Sequence, residues 1–583
     1  MIFIVVAQRN AGKLIERCLD SIVEQTYKDW KVVVVDDMST DSTVEIASRY
    51  ADSRIKIVKN TVRKYALRNI VEAIWNHAPH DSIVLTVDGD DALSDPEALQ
   101  AIQDEYDRTG CDALWTKYED INGGQCISRP MDGPPLTCGW SMSHLRTFKK
   151  HLIWGIDPKI FINPRHKIWW RWTYDQVLYR PILHLAKKPV FFNRVCYKYN
   201  SPIVEPDYID LQIQNGLDIM AILKKEYSYQ KSKVTFIVNG PTDKSDRRFH
   251  YGEKRAPLGI LSMAATLRAR GHSIKIVDRF ANPGAEFIPA ITEADVVGVY
   301  CSTPNWHDGK SIISILKGLK KHVIAGGPHA ILHPQDVLAA GADCVCVGEA
   351  DFAIAKIVED KLTGIIDPGR VNDLNALPFP AFDLLKDGYS WDWTYTDSMP
   401  IFSLATSRGC PHFCSFCSSR DLWGREWRGQ SADRIMLDIN QCQKMGAQGI
   451  YFREDNFGHD LNRLKEFAKL NKIEWASEIR ADRMLASGLM PLLVQSNCKG
   501  IYFGVEHISD RIRLEVFHKG ISSREVYDAI KLAQENNIKM SCSFITNHPL
   551  ESPEEKKEQE DFMKQLENSG ETVHRCVWRS KPQ

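Results

Sequence analysis

Short apolar runs alternate with amphipathic stretches through most of this 583-residue chain. The first strand is predicted at 2–7 and the first helix at 13–24, and further strands are predicted at 31–35, 55–58 and 82–87. Short apolar strands separated by amphipathic helices form parallel sheets, so the alternation predicts an α/β fold. A chain of this length exceeds one domain, and we therefore expect several α/β units in series.

Breaks in the alternation predict three domains. The first covers residues 1–229 and is predicted to be a doubly wound sheet that becomes irregular after about residue 122. A polar, Lys-rich stretch separates it from a second sheet at 233–368, and residues 369–399 read as a linker that packs. Residues 400–583 contain five or six strand–helix units, which predict a partial (β/α)6 TIM-like barrel.

Charge and composition exclude several classes of function. The 74 basic and 75 acidic residues leave a net charge of −1, so we expect no binding to nucleic acid. No apolar run is long enough to predict a membrane span. Most of the 15 cysteines are scattered, which favours a reducing, cytoplasmic location over a disulfide framework. The apolar start is short and lacks a basic flank, so it predicts a strand and not a signal peptide.

One group of cysteines is tightly spaced. Cys410, Cys414 and Cys417 form a C-x3-C-x2-C triplet after a strand-like run at 401–406. Three thiolates can hold three irons of a [4Fe–4S] cluster and leave the fourth iron open for chemistry. The alternative is a structural zinc site, although such sites favour paired C-x2-C knuckles with four ligands and no second knuckle follows.

The sequence Ser-Arg-Gly-Cys-Pro-His-Phe-Cys-Ser-Phe-Cys resembles the cluster loop of the radical S-adenosylmethionine (SAM) enzymes. In that family the open iron chelates SAM, and one electron cleaves SAM to a 5′-deoxyadenosyl radical. The resemblance implies an electron donor such as flavodoxin or ferredoxin. It also implies SAM-binding residues beside the cluster and at the carboxyl ends of barrel strands, namely Phe416, Glu454, Asp455, Ser477, Arg480 and Glu506.

The radical half departs from the family pattern in two places. Ser-Phe-Ile-Thr-Asn-His-Pro-Leu-Glu replaces the usual Gly-x-Pro-Gly-Glu turn. The chain also stops soon after a strand-like run at 573–578, where relatives usually carry a substrate-binding extension. An incomplete radical module is therefore one hypothesis to test.

The first domain resembles the family 2 glycosyltransferases, which have the GT-A fold. The matching segments are Ala-Gln-Arg-Asn-Ala-Gly-Lys, Val-Val-Val-Asp-Asp-Met-Ser-Thr-Asp and Val-Asp-Gly-Asp-Asp. Carboxylates at strand ends suit Mg²⁺ or Mn²⁺ that bridges the diphosphate of a nucleotide-sugar. By resemblance, Ala7, Arg9 and Asp36 contact base and ribose, whereas Asp88 and Asp90 lie at ribose and metal, with Asp90 the metal ligand.

The same family uses a carboxylate as general base toward the acceptor hydroxyl. Asp175, in Trp-Thr-Tyr-Asp-Gln-Val-Leu, occupies the corresponding place, although Tyr174 replaces the acid that usually precedes it. The alternative for Asp36 and its neighbour Asp37 is an ordinary turn with a helix cap. Five tryptophans either stack on an acceptor sugar or belong to the core: Trp140, Trp154, Trp169, Trp170 and Trp172.

The second domain resembles the cobalamin-binding domains that precede radical SAM barrels. The resemblance lies in Ala-Pro-Leu-Gly-Ile-Leu-Ser-Met-Ala-Ala-Thr-Leu-Arg-Ala-Arg-Gly-His, in Ala-Gly-Gly-Pro-His-Ala and in Val-Gly-Glu-Ala-Asp, and it implies cobalamin contacts at Gly326, Gly327, Gly348 and Glu349. The D-x-H-x-x-G motif that supplies a cobalt ligand is absent. His307 has the wrong spacing, and His329 is expected in a loop near the cofactor. The alternative is a flavodoxin-like spacer that binds nothing.

The leading hypothesis is a bifunctional enzyme. The first half would transfer a sugar from a nucleotide-sugar to a hydroxyl of a glycan or small molecule. The second half would perform radical SAM chemistry, either methylation or rearrangement. Two alternatives stay open: an active glycosyltransferase with an inactive radical module, and a carbohydrate-binding scaffold without turnover.

Overall fold

The computed structural model describes residues 1–50, 52–201, 206–240, 256–282, 285–385 and 398–578, with the side chains of the helix at 206–226 described from residue 211. Three main sheets are present, one of eight strands and two of six. The multidomain α/β class predicted from the sequence is confirmed. The end of the predicted linker, 386–397, and the last five residues of the barrel domain, 579–583, lie outside the described residues.

The first sheet has the strand order β3-β2-β1-β4-β7-β6-β10-β5. Strands β1 to β4 are parallel as predicted, but β7 runs antiparallel to both of its neighbours. The sequence did not predict β7 or β10, because both lie in the irregular part of the pattern. The strands of this sheet are β1 (Ile2–Gln8), β2 (Trp30–Asp36), β3 (Ile55–Lys59), β4 (Ile83–Asp88), β5 (Ala92–Leu93), β6 (Ala113–Asp120), β7 (Arg146–Lys149) and β10 (Pro189–Tyr199). Between β7 and β10, the strands β8 (Ile162–Asn163) and β9 (Ile168–Trp169) form a separate antiparallel pair.

Helices of this domain pack on the sheet through apolar faces. In α1 the buried residues are Ile15, Cys18, Leu19 and Ile22, a spacing that places them on one side of the helix. The strands beneath are buried along nearly their whole length, as expected when helices cover both faces. The helices are α1 (Leu14–Val23), α2 (Thr43–Ala47), α3 (Tyr65–His77), α4 (Ala98–Thr109), α5 (Tyr174–Leu185) and α6 (Pro206–Glu226).

The second sheet is entirely parallel, with the order β12-β11-β13-β14-β15-β16. Its strands are β11 (Lys233–Val238), β12 (Ser273–Asp278), β13 (Val296–Tyr300), β14 (His322–Gly326), β15 (Cys344–Cys346) and β16 (Gly364–Ile366). Two apolar cores lie on its two faces, which is the doubly wound arrangement predicted. The helices are α7 (Leu258–Ala269), α8 (Ile288–Ile291), α9 (Trp306–Gly318), α10 (Pro328–Leu332), α11 (Pro334–Ala339) and α12 (Ile354–Glu359).

The third sheet is an open six-stranded parallel sheet in the order β17-β20-β21-β22-β23-β24. A small antiparallel hairpin of β18 and β19 lies beside it. The strands are β17 (Ile401–Leu404), β18 (Ser407–Arg408), β19 (Arg428–Gly429), β20 (Gly449–Phe452), β21 (Glu474–Glu478), β22 (Cys498–Glu506), β23 (Lys539–Thr546) and β24 (Thr572–Val577). The helices are α13 (Ser419–Trp423), α14 (Ala432–Lys444), α15 (Leu461–Leu470), α16 (Ala481–Met484), α17 (Leu489–Gln495), α18 (Ser523–Glu535) and α19 (Pro553–Asn568).

The first and third domains share an apolar interface. One cluster of buried residues includes Trp75 of α3, Ile435 of α14 and Phe379 of the predicted linker. Buried within it, His80 and Asp438 form a 2.7 Å contact between an imidazole nitrogen and a carboxylate oxygen. Burial lowers the pKa of His80 to about 3, so this histidine is neutral near pH 7. In the described part of the chain, every helix is too short or too polar to cross a membrane.

Candidate functional site

A cavity of about 710 Å³ lies between the second and third domains. Its third-domain wall contains all three cysteines of the triplet together with Phe416 and acidic or basic residues from successive strand ends. The carboxyl ends of parallel strands meet at one edge of the sheet, which explains this convergence. The predicted residues that line the cavity are Cys410, Cys414, Phe416, Cys417, Glu454, Asp455, Arg480 and Glu506.

The three thiols lie on one wall of the cavity. Cys410, Cys414 and Cys417 all line it, and each is partly buried. Three thiolates that face one space can hold three irons of a [4Fe–4S] cluster and leave the fourth iron open.

Burial governs the protonation of these thiols. It raises the pKa of Cys417 to about 11 and also raises that of Cys410. Both groups are therefore protonated near pH 7 in the absence of metal, and iron binding must displace the protons. Arg480 lies beside the triplet, with its guanidinium Nη1 3.5 Å from the Cys414 sulfur, and its Nη2 donates to the backbone oxygen of Lys519 at 2.9 Å.

The two acids after β20 differ in what they contact. Glu454 is fully buried and accepts hydrogen bonds from Thr406 and Ser407, and it forms an ion pair with Arg463 at 3.1 Å. Its carboxylate is therefore engaged in holding the end of β17. Asp455 instead contacts one serine hydroxyl, that of Ser419 at 2.6 Å, and burial raises its pKa. Of the two, Asp455 has more acceptor capacity left for a ligand.

Glu506 faces the cavity in an ion pair that the sequence did not reveal. Its Oε1 lies 2.8 Å from the ammonium of Lys519, and both side chains are mostly buried. The same ammonium lies 5.6 Å from the centre of the Phe416 ring. Lys519 is separated from the cysteines by about a hundred positions in sequence and belongs to no motif, so only the fold identifies it as a wall residue.

Several predicted residues lie away from the cavity wall. Ser477 is buried in β21, where its hydroxyl donates to the backbone oxygen of Phe452 at 2.9 Å. His329 lies in α10 and not in a loop, stacked on Trp306 with ring centres 4.2 Å apart. From the described second domain, the wall is formed by other residues, among them Pro257, Leu258, Phe280, Tyr300 and Ser302.

The predicted cobalamin residues have local structural explanations. Gly327 has a φ of +98°, and a Cβ there would lie 2.9 Å from the Cys301 oxygen and from the Tyr300 ring. The backbone therefore requires glycine at position 327. The Tyr300 ring packs against Gly327 and also lines the cavity. A Cβ on Gly348 would meet the Asp367 side chain at 2.7 Å, whereas one on Gly326 would make only an ordinary contact, 3.9 Å from the Cys346 Cβ. Glu349 is buried in an ion-pair network with Arg408 and Arg428.

A second candidate site lies at the edge of the first sheet. Strand register places Ala7 beside Asp88, and Gln8 beside Asp36. The Gln8 side-chain amide donates to Asp36 at 2.6 Å, which fixes that carboxylate at the end of β2. Arg9 follows directly and is exposed. The residues predicted to contact base and ribose are thus neighbours at one edge.

Acidic groups accumulate at this edge. Asp88, Asp91 and His144 have ligand atoms that all lie within 4.8 Å of one another, which suits a single divalent cation. Burial, and secondarily Asp90, raise the pKa of Asp88 to about 6, and burial with Asp88 raises that of Asp91 to about 8. The sequence predicted Asp90 as the metal ligand and missed His144 and Asp91, since His144 comes from the irregular region before β7.

The predicted general base lies close by. Asp175, in the first turn of α5, forms a 3.0 Å ion pair with the buried Arg146. Electrostatic contacts of both Asp175 and Arg146 with Asp88 link the base to the acidic edge. Among the five tryptophans, Trp154 and Trp170 are core residues, whereas Trp172 is exposed.

Comparison with known protein families assigns each sheet to a family. Residues 3–162 match the model "Glycosyl transferase family 2", residues 248–358 match "B12 binding domain", and residues 404–562 match "Radical SAM superfamily". The chain therefore joins a family 2 glycosyltransferase domain, a B12 binding domain and a radical SAM domain, as the sequence motifs predicted.

Among curated proteins, an uncharacterized methyltransferase of Pyrococcus horikoshii is 28% identical over 57% of this chain and 78% of its own length. The hopanoid C-3 methylase of Methylococcus capsulatus is 27% identical over 50% of this chain and 61% of its own.

Solved structures that are similar to this chain include the two given next. The cobalamin-dependent S-adenosylmethionine radical enzyme OxsB with aqua-cobalamin bound aligns with a TM-score of 0.47 at 16% identity, over 62% of this chain and 55% of that chain. S. aureus TarS 1–349 in complex with UDP aligns with a TM-score of 0.31 at 22% identity, over 38% of this chain and 65% of that chain.

The matched families imply a [4Fe–4S] cluster, SAM and cobalamin for the cavity, and a divalent cation for the first sheet. The residues present fit these groups. Three partly buried thiols share the cavity wall, and the B12 binding domain supplies the facing wall. The cation-sized group of Asp88, Asp91 and His144 fits the divalent ion.

Proposed function

We propose that this chain is a bifunctional enzyme, a radical SAM, cobalamin-dependent methyltransferase joined to a glycosyltransferase. The methyl-transfer half rests on one observation: the cysteine triplet and the B12 binding domain line the same cavity. A cavity shared by both domains lets two cofactors and a substrate meet in one space. The relatives compared above are described as a methyltransferase and a methylase, which favours methyl transfer over rearrangement.

The residues of the cavity wall would have separate roles. Cys410, Cys414 and Cys417 would hold the cluster, and Asp455 and Arg480 would orient the amino and carboxylate groups of SAM by opposite charge. When bound, the cluster supplies the electron that cleaves SAM, and cobalamin carries the methyl group. Glu506, already fixed by Lys519, would accept hydrogen bonds from the SAM ribose. Tyr300 and Phe416 contribute apolar surface that excludes water.

The glycosyltransferase half rests on the acidic edge of the first sheet. Asp88, with Asp90, Asp91 and His144 beside it, would bind a divalent cation that offsets the charge of the departing nucleoside diphosphate. Asp36 would bind the nucleoside. Asp175 would take the proton from the acceptor hydroxyl, while the ion pair with Arg146 orients its carboxylate.

The first experiment tests the methyl-transfer half. The protein is reconstituted anaerobically with iron, sulfide and cobalamin, reduced, and supplied with SAM that carries a deuterated methyl group. We expect 5′-deoxyadenosine and S-adenosylhomocysteine to form, with the label entering the bound cobalamin. Absence of a cluster signal, or a signal that SAM leaves unchanged, would contradict the methyl-transfer half and favour the incomplete module.

The transferase half is tested separately with nucleotide-sugars and Mn²⁺ in the absence of SAM. We expect release of a nucleoside diphosphate from at least one donor, and loss of that release on chelation of the metal. Binding of a nucleotide-sugar without any turnover, over a panel of acceptors and with water, would favour the carbohydrate-binding scaffold.

A further inference from the structure

A buried network of four charged residues joins the B12 binding domain to the hairpin that carries the cysteine triplet. The network consists of Glu349 and Asp351 on one side and Arg408 and Arg428 on the other. The exposed fractions of the four side chains are 2%, 5%, 11% and 9% in that order. Charges this deeply buried require specific partners, so each residue depends on the others.

The geometry is that of charge-assisted hydrogen bonds in a defined arrangement. The Arg408 guanidinium contacts both oxygens of Asp351, at 2.8 and 3.0 Å, and one oxygen of Glu349 at 2.7 Å. Arg428 contacts the other oxygen of Glu349 at 2.5 Å and the shared oxygen at 3.2 Å. Ser262 of α7 donates its hydroxyl to Asp351 at 2.7 Å. A bidentate arginine–carboxylate pair fixes orientation as well as distance.

The two facing arginines of the hairpin need acidic partners. Arg408 in β18 and Arg428 in β19 are directly opposite each other across the two strands. Like charges in this position repel, and here both are removed from water. Within the hairpin no acid separates the two guanidinium groups; Glu349 and Asp351, which come from the second domain, do so. The paired form of β18 and β19 is therefore balanced in charge only when the second domain is docked.

The hairpin connects directly to the cysteines. Cys410 follows Arg408 by two positions, and its backbone N–H donates to the Gly424 oxygen at 3.4 Å across the hairpin. On the other side of the network, Ser262 lies in the cavity wall formed by α7. Thus a single set of contacts links the start of the triplet to the wall that faces it.

We propose that Glu349 and Asp351 are positioning residues: they neutralise Arg408 and Arg428 and so hold the cysteine triplet at a fixed distance from the B12 binding domain. The sequence predicted a cobalamin contact for Glu349, and the positioning role is argued separately, from its ion pairs with Arg408 and Arg428. The functional consequence rests on the proposed methyl transfer, which needs the cluster and cobalamin sites in one cavity. The positioning itself is a property of the protein alone and is measured without cofactors.

The test is hydrogen–deuterium exchange of the full-length apoprotein, followed by mass spectrometry of peptides from 405–430. The variants are Glu349→Gln and Asp351→Asn. The matched control is Asp308→Asn, a carboxylate with a 2.8 Å ion pair to Arg279 and a similar burial, but with both partners inside the second domain. We expect exchange in 405–430 to rise on the order of 100-fold in the two variants, as for loss of a buried ion pair, and to stay unchanged in the control.

A second variant separates charge neutralisation from a general loss of packing. Arg428→Gln removes one member of the repelling pair, so the double variant Glu349→Gln/Arg428→Gln is expected to exchange more slowly in 405–430 than Glu349→Gln alone. If the two substitutions add, or if the control accelerates exchange in 405–430 as strongly, the positioning role is wrong. Unchanged exchange in both acid variants would also overturn it.

Failure of the proposed function gives a different result. In that case the wild-type protein would form no SAM-responsive cluster after reconstitution, while the exchange experiment would still report whether the acids hold the hairpin.

Discussion

The two candidate sites are assembled in different ways. At the edge of the first sheet, the functional groups follow neighbouring strands of one sheet, and strand register alone brings Asp88 beside Ala7 and Asp36 beside Gln8. The cavity between the second and third domains instead draws its two walls from separate sheets. A site within one sheet can be predicted from strand ends, whereas a site between sheets depends on how two domains dock.

The two sites also differ in the charged partners of their acidic residues. In the cavity, two buried acids have cationic partners within the protein, Glu454 with Arg463 and Glu506 with Lys519. At the sheet edge, acids accumulate close to one another, and the pKa values of Asp88 and Asp91 rise to about 6 and about 8. An added cation would therefore stabilise the ionised acids of the sheet edge.

The largest effect is expected from Cys414→Ala, which removes one of three thiolates from the cavity but leaves the sheet edge intact. We expect formation of 5′-deoxyadenosine from SAM to fall at least about 1,000-fold, because loss of a metal site costs several kcal/mol of transition-state stabilisation. Nucleoside diphosphate release should stay unchanged. Cys126→Ala, at an exposed cysteine far from the triplet in sequence, is the control and should leave both reactions unaltered. A parallel fall in both reactions would show that the two sites are not independent.

The converse change is Asp90→Asn at the sheet edge. We expect nucleotide-sugar turnover to fall about 100-fold, since a carboxylate that supports the cation stabilises the leaving diphosphate. The cluster signal and SAM cleavage should not change. Asp95→Asn, at a half-exposed acid paired with Arg194 in the same domain, provides the matched control. Equal activity of both variants would remove Asp90 from the site and leave Asp88 as the principal acid.

The docking of the first domain on the third is expected to weaken in acid. The folded-state pKa of His80 lies near 3 because of burial, so the unfolded chain binds a proton below about pH 6.5 and the folded chain does not. Stability is therefore lost as pH falls, by about 2 kcal/mol between pH 6.5 and pH 5 for this one group. Urea unfolding at pH 7, 6 and 5 measures it. His80→Gln should reduce the loss by about this amount, because other buried histidines, such as His77 with a pKa of about 4, still contribute. His166→Gln, at an exposed histidine, should leave the loss unchanged.

The smallest effect concerns cation binding at the sheet edge. Asp88 and Asp91 must both be ionised to bind a cation. The affinity for Mn²⁺ should therefore rise with pH, by about tenfold per unit between about pH 6 and 8, where Asp91 titrates, and more steeply below about pH 6, where Asp88 titrates as well. Electron paramagnetic resonance of free Mn²⁺ measures this binding directly. Asp88→Asn should remove the steeper part below pH 6, and Asp107→Asn on the exposed face of α4 should preserve it. An affinity independent of pH in the wild type would mean that Asp88 is not a ligand.

The sequence motifs predicted residues that the fold brings together, both in the cavity and at the edge of the first sheet. The triplet, Asp455, Arg480 and Glu506 all line the cavity, because each follows a barrel strand and strand ends converge. A Cβ at Gly327 would meet the Cys301 oxygen, and one at Gly348 would meet the Asp367 side chain, so packing within the protein explains both glycines; the cobalamin contacts stay predictions. Sequence pattern cannot distinguish these two causes of a glycine.

By itself, the sequence determined the class of each domain, the cysteine triplet and the acids at strand ends, because these depend on short-range periodicity and spacing. The tertiary structure alone decided what those groups contact. His144 reaches Asp88 from an irregular segment, and Lys519 reaches Glu506 from a remote loop. Glu349 reaches Arg408 from another domain. Such contacts depend on how sheets and domains pack against one another. The residues that neighbour each group along the chain do not reveal that packing.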